Sequence, residues 1–269
     1  MRVIMAGCGN MGFAMLKAWI RGGVLVPADC TVIEPADALR ARAADQGVSV
    51  YAEASAIPDG TAADVVVLAV KPQVMGVAAP AYRRFADAGA AILSIAAGTR
   101  IATLQSLLGE EAAIVRCMPN TPAAIGAGMM VTFANDRVTP QAMDAVNTLL
   151  AQNGAVTSIP SEDLMDAVTA VSGSGPAYVF HFIEALTAAG EKAGLPAETA
   201  GLLARQTVLG AARLAFESGE APGTLREQVT SPNGTTAAAL AVLMGDNRLK
   251  TLVEEAVDAA CARSVELGS

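Results

Sequence analysis

Gly7, Gly9 and Gly12 stand directly after an apolar run, Val3 to Ala6, and directly before a segment with helical spacing, Phe13 to Arg21. Glycines at this spacing serve a tight turn, a close approach of backbone to a pyrophosphate, and close helix–strand packing. The loop Gly7-Cys8-Gly9-Asn10-Met11-Gly12 then offers free amides and a positive dipole end to phosphates. A carboxylate, Glu34, follows 22 residues after Gly12, just past a second apolar run, Cys30 to Ile33. There it accepts hydrogen bonds from a ribose 2′-hydroxyl and repels a 2′-phosphate, which favours NADH over NADPH. Arg40 and Arg42, a turn or two later, are the cations that could reach back and admit the phosphate.

Three more apolar runs end in polar or kinked sequence: Ala69-Val70-Lys71-Pro72-Gln73, Ala96-Ala97-Gly98-Thr99 and Arg116-Cys117-Met118-Pro119-Asn120-Thr121-Pro122. Proline and glycine there turn the chain away from a sheet and leave backbone groups facing a ligand. Val70, Lys71, Pro72, Ala97, Gly98 and Asn120 are therefore expected to line the nicotinamide end of the same site, at the carboxyl ends of parallel strands. Two Gly/Ser/Thr/Pro segments, 171–178 with Ser174 and 229–236 with Ser231, Gly234, Thr235 and Thr236, interrupt strongly helical sequence, and these five residues are expected at the substrate. The second should run into a helix N-terminus at about Gly234 to Ala237, a setting that suits a carboxylate. Cys8, Cys30, Cys117 and Cys261 show no zinc or redox-dithiol spacing, so no metal is expected and reduced thiols are. The single histidine, His181, lies on an apolar helix and reads as a core or interface residue.

These groups need a frame. The runs Val3–Ala6, Cys30–Ile33, Val65–Val70, Ala91–Ile95 and Ile114–Cys117 have the length of buried strands and alternate with helical segments. Strands near Met129–Phe133 and Ala155–Ile159, with a helix from Pro140 to Ala151 between them, extend the layer. The expected class is α/β: a Rossmann-type doubly wound parallel sheet, followed by an all-α C-terminal domain. From Ser161 the strand signal ends, and stripes such as Leu249, Leu252, Val253, Ala256, Val257 and Ala260 repeat at helical spacing. Residues 1–160 carry 11 Lys/Arg against 12 Asp/Glu, a net −1, and residues 161–269 carry 7 against 14, a net −7. The boundary is therefore expected near 160, with a dinucleotide-binding domain over 1–160 and a helical substrate-binding and dimerisation domain over 161–269. Residues 202–216 are apolar on more than one face, so burial against a second copy is expected.

Composition narrows the classes further. Of the 269 residues 53% are hydrophobic but only 4% aromatic, so packing rests on small aliphatics. The longest large-aliphatic run, 65–70, is far short of the roughly 20 apolar residues a bilayer span needs. Glycines interrupt the N-terminal stretch at once, so no secretory signal is read and a cytoplasmic location is expected. A net charge of −8 argues against nucleic acid and anionic membranes as partners.

The ordered set GCGNMG, VLAVKPQ, SIAAGT, RCMPNTP, AVSGSGPAYVF and VTSPNGTT resembles the pyrroline-5-carboxylate reductases, over essentially the whole chain. The resemblance implies reduction of (S)-1-pyrroline-5-carboxylate to L-proline, the last step of proline biosynthesis, with NADH or NADPH. It also implies a homodimer through interleaved C-terminal helices, with dimers joining into rings up to a decamer. On this basis Ser231, Gly234 and Thr235 hold the substrate carboxylate, while Thr236 meets the ring nitrogen and is the catalytic candidate; Lys71 lines the nicotinamide through its backbone. Asn233 departs from the glycine usual in the family, and Asn is the best-tolerated replacement where φ is positive. Two rival readings are weaker. A β-hydroxyacid dehydrogenase is expected to carry a catalytic lysine after the Gly-rich segment, and none occurs between Gly173 and Glu191. A nucleotide-binding scaffold would need neither hydroxyl-rich loop.

Overall fold

The structure, a computed structural model, describes residues 1–268. Its strands are β1 (Val3–Ala6), β2 (Cys30–Ile33), β3 (Ser49–Tyr51), β4 (Val65–Leu68), β5 (Ala91–Ser94), β6 (Ile114–Met118), β7 (Gly128–Ala134) and β8 (Gly154–Ser158). They form one eight-stranded sheet in the order β3-β2-β1-β4-β5-β6-β7-β8. Successive residues of each central strand feed opposite faces. Val3, Met5, Val65, Val67 and Leu93 join one buried cluster, whereas Ile4, Ala6, Val66, Leu68 and Ile92 join another.

Both faces are covered by helices, which is why these strands are apolar at every position rather than at alternate ones. α1 (Asn10–Arg21) contributes Met15, Leu16 and Trp19 to the first cluster. α2 (Asp37–Ala44), α3 (Met75–Ala78) and α4 (Arg83–Asp87) follow, and α5 (Ile101–Leu108) supplies Leu104 and Leu108 to the second. α6 (Pro140–Leu150) starts with Pro140 at its first turn, is capped by the Thr139 hydroxyl on the Ala142 amide, and buries Val146, Leu149 and Leu150. Truncating a fully buried Leu of this kind costs about 2–5 kcal/mol.

The sheet departs from an all-parallel layer in one place: β7 runs antiparallel to β6 and parallel to β8. Only residues 119–127 join β6 to β7. A parallel crossover needs a dozen or more residues, so the chain must turn straight back.

After β8 the chain is helical: α7 (Met165–Val168), a π-helical turn Thr169–Gly173, α8 (Gly175–Lys192), α9 (Ala197–Glu217), α10 (Pro222–Gln228), α11 (Thr235–Met244) and α12 (Arg248–Gly268). The chain packs as two compact units: residues 1–174 with 260–268, and residues 175–259. Specific ties hold 161–174 to β6 and α5, and the end of α12 to α7. Glu162 Oε1 accepts from Arg116 Nη1 at 2.6 Å and from the Ile101 amide at 2.8 Å. The Ser264 hydroxyl donates to Asp166 at 2.6 Å.

The second unit is poorly buried by itself. α8 and α11 have no buried residue, and α9 buries only Ala200 and Ala204, packed on α8. Phe180, Phe182, Leu202, Leu209, Leu214 and Phe216 are all exposed, the last by 86%. Exposed apolar surface on this scale marks an interaction face. His181, expected in a core or interface, is exposed beside Phe180 and Phe182, its Nδ1 3.1 Å from Glu184 Oε2.

Candidate functional site

The strand order reverses between β1 and β4, and a crevice opens at the carboxyl ends of these strands. A cleft of about 330 Å³ lies there, lined by Gly9, Asn10, Met11 and Gly12 from the first loop, by Val70, Lys71 and Pro72 after β4, by Ala97 after β5, and by Met118 and Pro119 at the end of β6. Eight of the expected cofactor residues thus share one cavity. Gly98 adjoins it in a second cavity of about 330 Å³, which also contains Pro72, Ala97, Ser174 and Arg263.

The glycine loop fits a nucleotide on steric grounds. Gly7 has φ +86°, and a Cβ there would stand 2.9 Å from the Ala69 carbonyl oxygen, so the turn requires glycine. A Cβ on Gly9 would meet nothing within 4 Å, which leaves open space directly over the start of α1. Gly9 caps that helix without a side-chain hydrogen bond, and the first intrahelical bond is Phe13 N–H to Gly9 C=O at 2.9 Å. The amides of Asn10, Met11 and Gly12 therefore have no intrahelical acceptor, and an anion is their natural partner.

Two expected residues sit differently from the rest. Cys8 is buried, and burial raises its thiol to about 11, so it contributes backbone and no thiolate. Glu34 is only 6% exposed: Oε2 accepts from the Cys8 amide at 2.8 Å, and Oε1 from the Ala36 amide at 3.0 Å. A ribose is the partner expected of this carboxylate; in the fold its two bonds brace the glycine loop. Arg42 works on the same loop, donating to the Cys8 carbonyl at 2.9 Å and stacking 4.1 Å over the Phe13 ring. Arg40 donates to the carbonyls of Glu34 and Pro35 and pairs with Asp37.

Asn120 is likewise engaged inside the protein. Its Oδ1 accepts from the Met129 amide at 2.8 Å, and its Nδ2 donates to the Ser172 carbonyl at 3.2 Å. Sequence spacing could not disclose a partner 52 residues away.

Ser231, Gly234, Thr235 and Thr236 form a separate group at the start of α11, in the helical unit. Gly234 is the N-cap, with no side-chain cap, and the first intrahelical bond is Ala238 N–H to Gly234 C=O at 3.2 Å. This leaves the amides of Thr235, Thr236 and Ala237 free. The loop is closed by Gly234 N–H to Ser231 C=O at 3.0 Å, and a Cβ on Gly234 would lie 2.4 Å from Ser231 Oγ. Asn233 adopts φ +58°, the left-handed conformation that Asn tolerates better than most residues. Among the described residues no group of three or more His, Cys, Asp or Glu could hold a metal ion, and no helix is long and apolar enough to cross a membrane.

A doubly wound sheet with an uncapped glycine loop at its switch point, followed by a helical unit, defines a Rossmann-type NAD(P)-dependent oxidoreductase. Residues 2–98 match the family model for NADP oxidoreductase, coenzyme F420-dependent, and residues 162–267 match that for pyrroline-5-carboxylate reductase dimerisation. The chain is 42% identical to the pyrroline-5-carboxylate reductase of Pseudomonas aeruginosa over 99% of its length and 96% of that protein's. It is 38% identical to the Arabidopsis thaliana enzyme over 97% and 93%. Among solved structures, the pyrroline-5-carboxylate reductase of Coxiella burnetii superposes with a TM-score of 0.92, at 36% identity, over 100% of this chain and 98% of that one. The Plasmodium falciparum pyrroline carboxylate reductase with NADP bound gives 0.85 at 30% identity, over 100% and 98%. The chain belongs to the pyrroline-5-carboxylate reductase family.

Proposed function

We propose that this chain reduces (S)-1-pyrroline-5-carboxylate to L-proline, the last step of proline biosynthesis, using NADH or NADPH. The observation that carries the reading is that one chain combines the open glycine loop after β1 with the uncapped start of α11 beside Ser231. The first suits a pyrophosphate and the second a small carboxylate.

When bound, the reduced nicotinamide supplies the hydride that the imine carbon accepts. The free amides of Asn10, Met11 and Gly12, in the first turn of α1, would hold the phosphates, while Val70, Pro72, Ala97 and Met118 shape the wall at the reacting end. Ser231 Oγ, with the amides of Thr235 and Thr236, holds the substrate carboxylate. In the substrate the ring nitrogen is attached to the carbon that bears this carboxylate. A hydroxyl in the same helical turn therefore reaches the nitrogen, and Thr236 is that group. Protonation of the nitrogen makes the adjacent carbon electrophilic, so Thr236, with a water, orients the nitrogen and passes the proton that becomes the N–H of the product. No strongly shifted acid is needed; alignment and exclusion of water do most of the work.

Cofactor choice follows from Glu34. Its negative charge at the end of β2 disfavours a 2′-phosphate, so NADH is the preferred cofactor, with Arg40 and Arg42 as the neighbouring cations that keep NADPH admissible. The active form is a cytoplasmic homodimer through the exposed faces of α8 to α12, with dimers joining into rings as large as a decamer.

The test is direct. Purified protein is mixed with pyrroline-5-carboxylate and each reduced cofactor, and the loss of reduced-cofactor absorbance is followed. Turnover with proline as product is expected. Nucleotide binding without turnover on either cofactor would exclude the reading.

A further inference from the structure

Asn120 sits at the carboxyl end of β6, directly after Met118 and Pro119, which line the cofactor cleft. Its amide is used from both ends. Oδ1 accepts from the Met129 amide at 2.8 Å, and Nδ2 points at both acceptors of Ser172, the carbonyl at 3.2 Å and Oγ at 3.4 Å. A second contact runs beside it: a Cβ on Gly173 would stand 2.5 Å from Met118 Cε, so the backbone of that glycine rests on the Met118 side chain. Thr169–Gly173 is a π turn, closed by Ser174 N–H to Thr169 C=O at 2.9 Å. Such turns are costly in isolation and persist where the surroundings hold them.

Ser174, the residue that closes this turn, lines the second cavity, which shares Pro72 and Ala97 with the cofactor cleft. Ser174 is therefore placed, through Gly173 and Ser172, by the same strand end that shapes the reacting end of the cleft. An amide is the one side chain of this length that can accept from Met129 and donate to Ser172 at once.

We propose that Asn120 is a positioning residue for the reduction: by holding Ser172 it fixes the π turn and places Ser174 against the reacting end of the cofactor cleft, without itself touching the cofactor. The proposal rests on the reading of the site as an imine reductase. Asn120→Asp separates the two ends of the amide. The carboxylate still accepts from Met129, but an oxygen now faces the Ser172 carbonyl where a donor stood, and the turn is pushed off the strand end.

The experiment measures kcat/KM for pyrroline-5-carboxylate, the Kd of the reduced cofactor by its fluorescence, and the primary isotope effect with cofactor deuterated at the transferred position. For Asn120→Asp and Asn120→Ala, kcat/KM is expected to fall about 10- to 100-fold, the cost of a displacement of order 1 Å. Cofactor Kd stays within the error of the wild-type value, and the isotope effect rises as hydride transfer becomes slower than the steps around it. A loss of fraction folded would lower the rate and leave the isotope effect where it was, so that result overturns the proposal. A cofactor Kd that weakens in step with kcat/KM makes Asn120 a direct cofactor ligand and also overturns it, as does an unchanged kcat/KM. Wild-type protein that reduces no imine removes the reading of the site and the proposal together, a result distinct from active wild-type enzyme with neutral variants.

Discussion

The Glu34 carboxylate accepts the Cys8 main-chain N–H at 2.8 Å and so ties the end of β2 to the glycine loop after β1. One side chain thereby braces the glycine loop and leaves a carboxylate at the end of β2.

Glu34→Ser is expected to have two separable effects. Loss of the brace weakens both cofactors, and a hydrogen bond to a charged group contributes about 1.5–3 kcal/mol. Loss of the charge removes repulsion from a 2′-phosphate only, so the ratio of kcat/KM for NADPH over NADH rises. Parallel kinetics with the two cofactors read both effects. A ratio that stays put would leave Glu34 as a brace alone, and a wild-type preference for NADPH would overturn the assignment of NADH.

At the start of α11, Thr236→Ala removes only a hydroxyl, whereas Gly234→Ala drives a methyl against Ser231 Oγ. The first is expected to lower kcat/KM for the imine about 100-fold, the lower end of what a positioned proton-transfer group supplies, with cofactor Kd unchanged. The second should raise KM chiefly, because it displaces the carboxylate site. Equal losses in turnover and cofactor binding for Thr236→Ala would contradict its role.

Much of this frame was legible in the chain because burial on both faces of a parallel sheet writes itself as unbroken apolar runs. The run Val65 to Val70 is one, and its first four residues are β4. The three-residue β3, Ser49–Tyr51, leaves no such mark: it is too short for a pattern, and its first residue is exposed. The reversed direction of β7 is written only in a spacing, since residues 119–127 are too few for a parallel crossover. Other features have no signal. The return of 260–268 to the first unit and the grip of Asn120 on Ser172 join residues far apart in sequence, and no local propensity encodes such pairs. Glu34 was legible as a site residue, but its two main-chain donors appear only when the loop is folded over it.

Cys8 and Cys30 carry a pH prediction. Burial pushes their thiols up to about 11 and about 12, from an ordinary value near 9. The folded state keeps both protons while the unfolded chain releases them above about pH 9. Their contribution to stability is therefore intact below pH 9 and declines as pH rises through 11 and 12. Thermal melts should show a midpoint that falls from pH 9 upward, with a shallower fall in Cys30→Ala. Native protein at pH 8 should resist alkylation at Cys8, Cys30 and Cys117, all buried, and yield all four cysteines on denaturation. Rapid native labelling of Cys8 would show that the loop opens far more than its hydrogen bonds allow.

The exposed apolar residues of α9 carry the last prediction. Leu202, Leu209 and Leu214 are each more than half exposed, and only two alanines of this 21-residue helix are buried. A helix so little buried by its own unit is expected to gain stability from a partner copy, which would couple folding to association. The melting midpoint of the wild type should rise with protein concentration, and its mass by light scattering should be a multiple of the 27.2 kDa chain. Leu209→Arg places a charge on the apolar face. It is expected to shift the mass toward the single chain, lower the midpoint and abolish turnover. Cofactor binding should persist, because the glycine loop and its brace lie in residues 1–174 and 260–268, a unit with its own core. A wild-type chain that sediments as a monomer, with a midpoint independent of concentration, would refute the coupling.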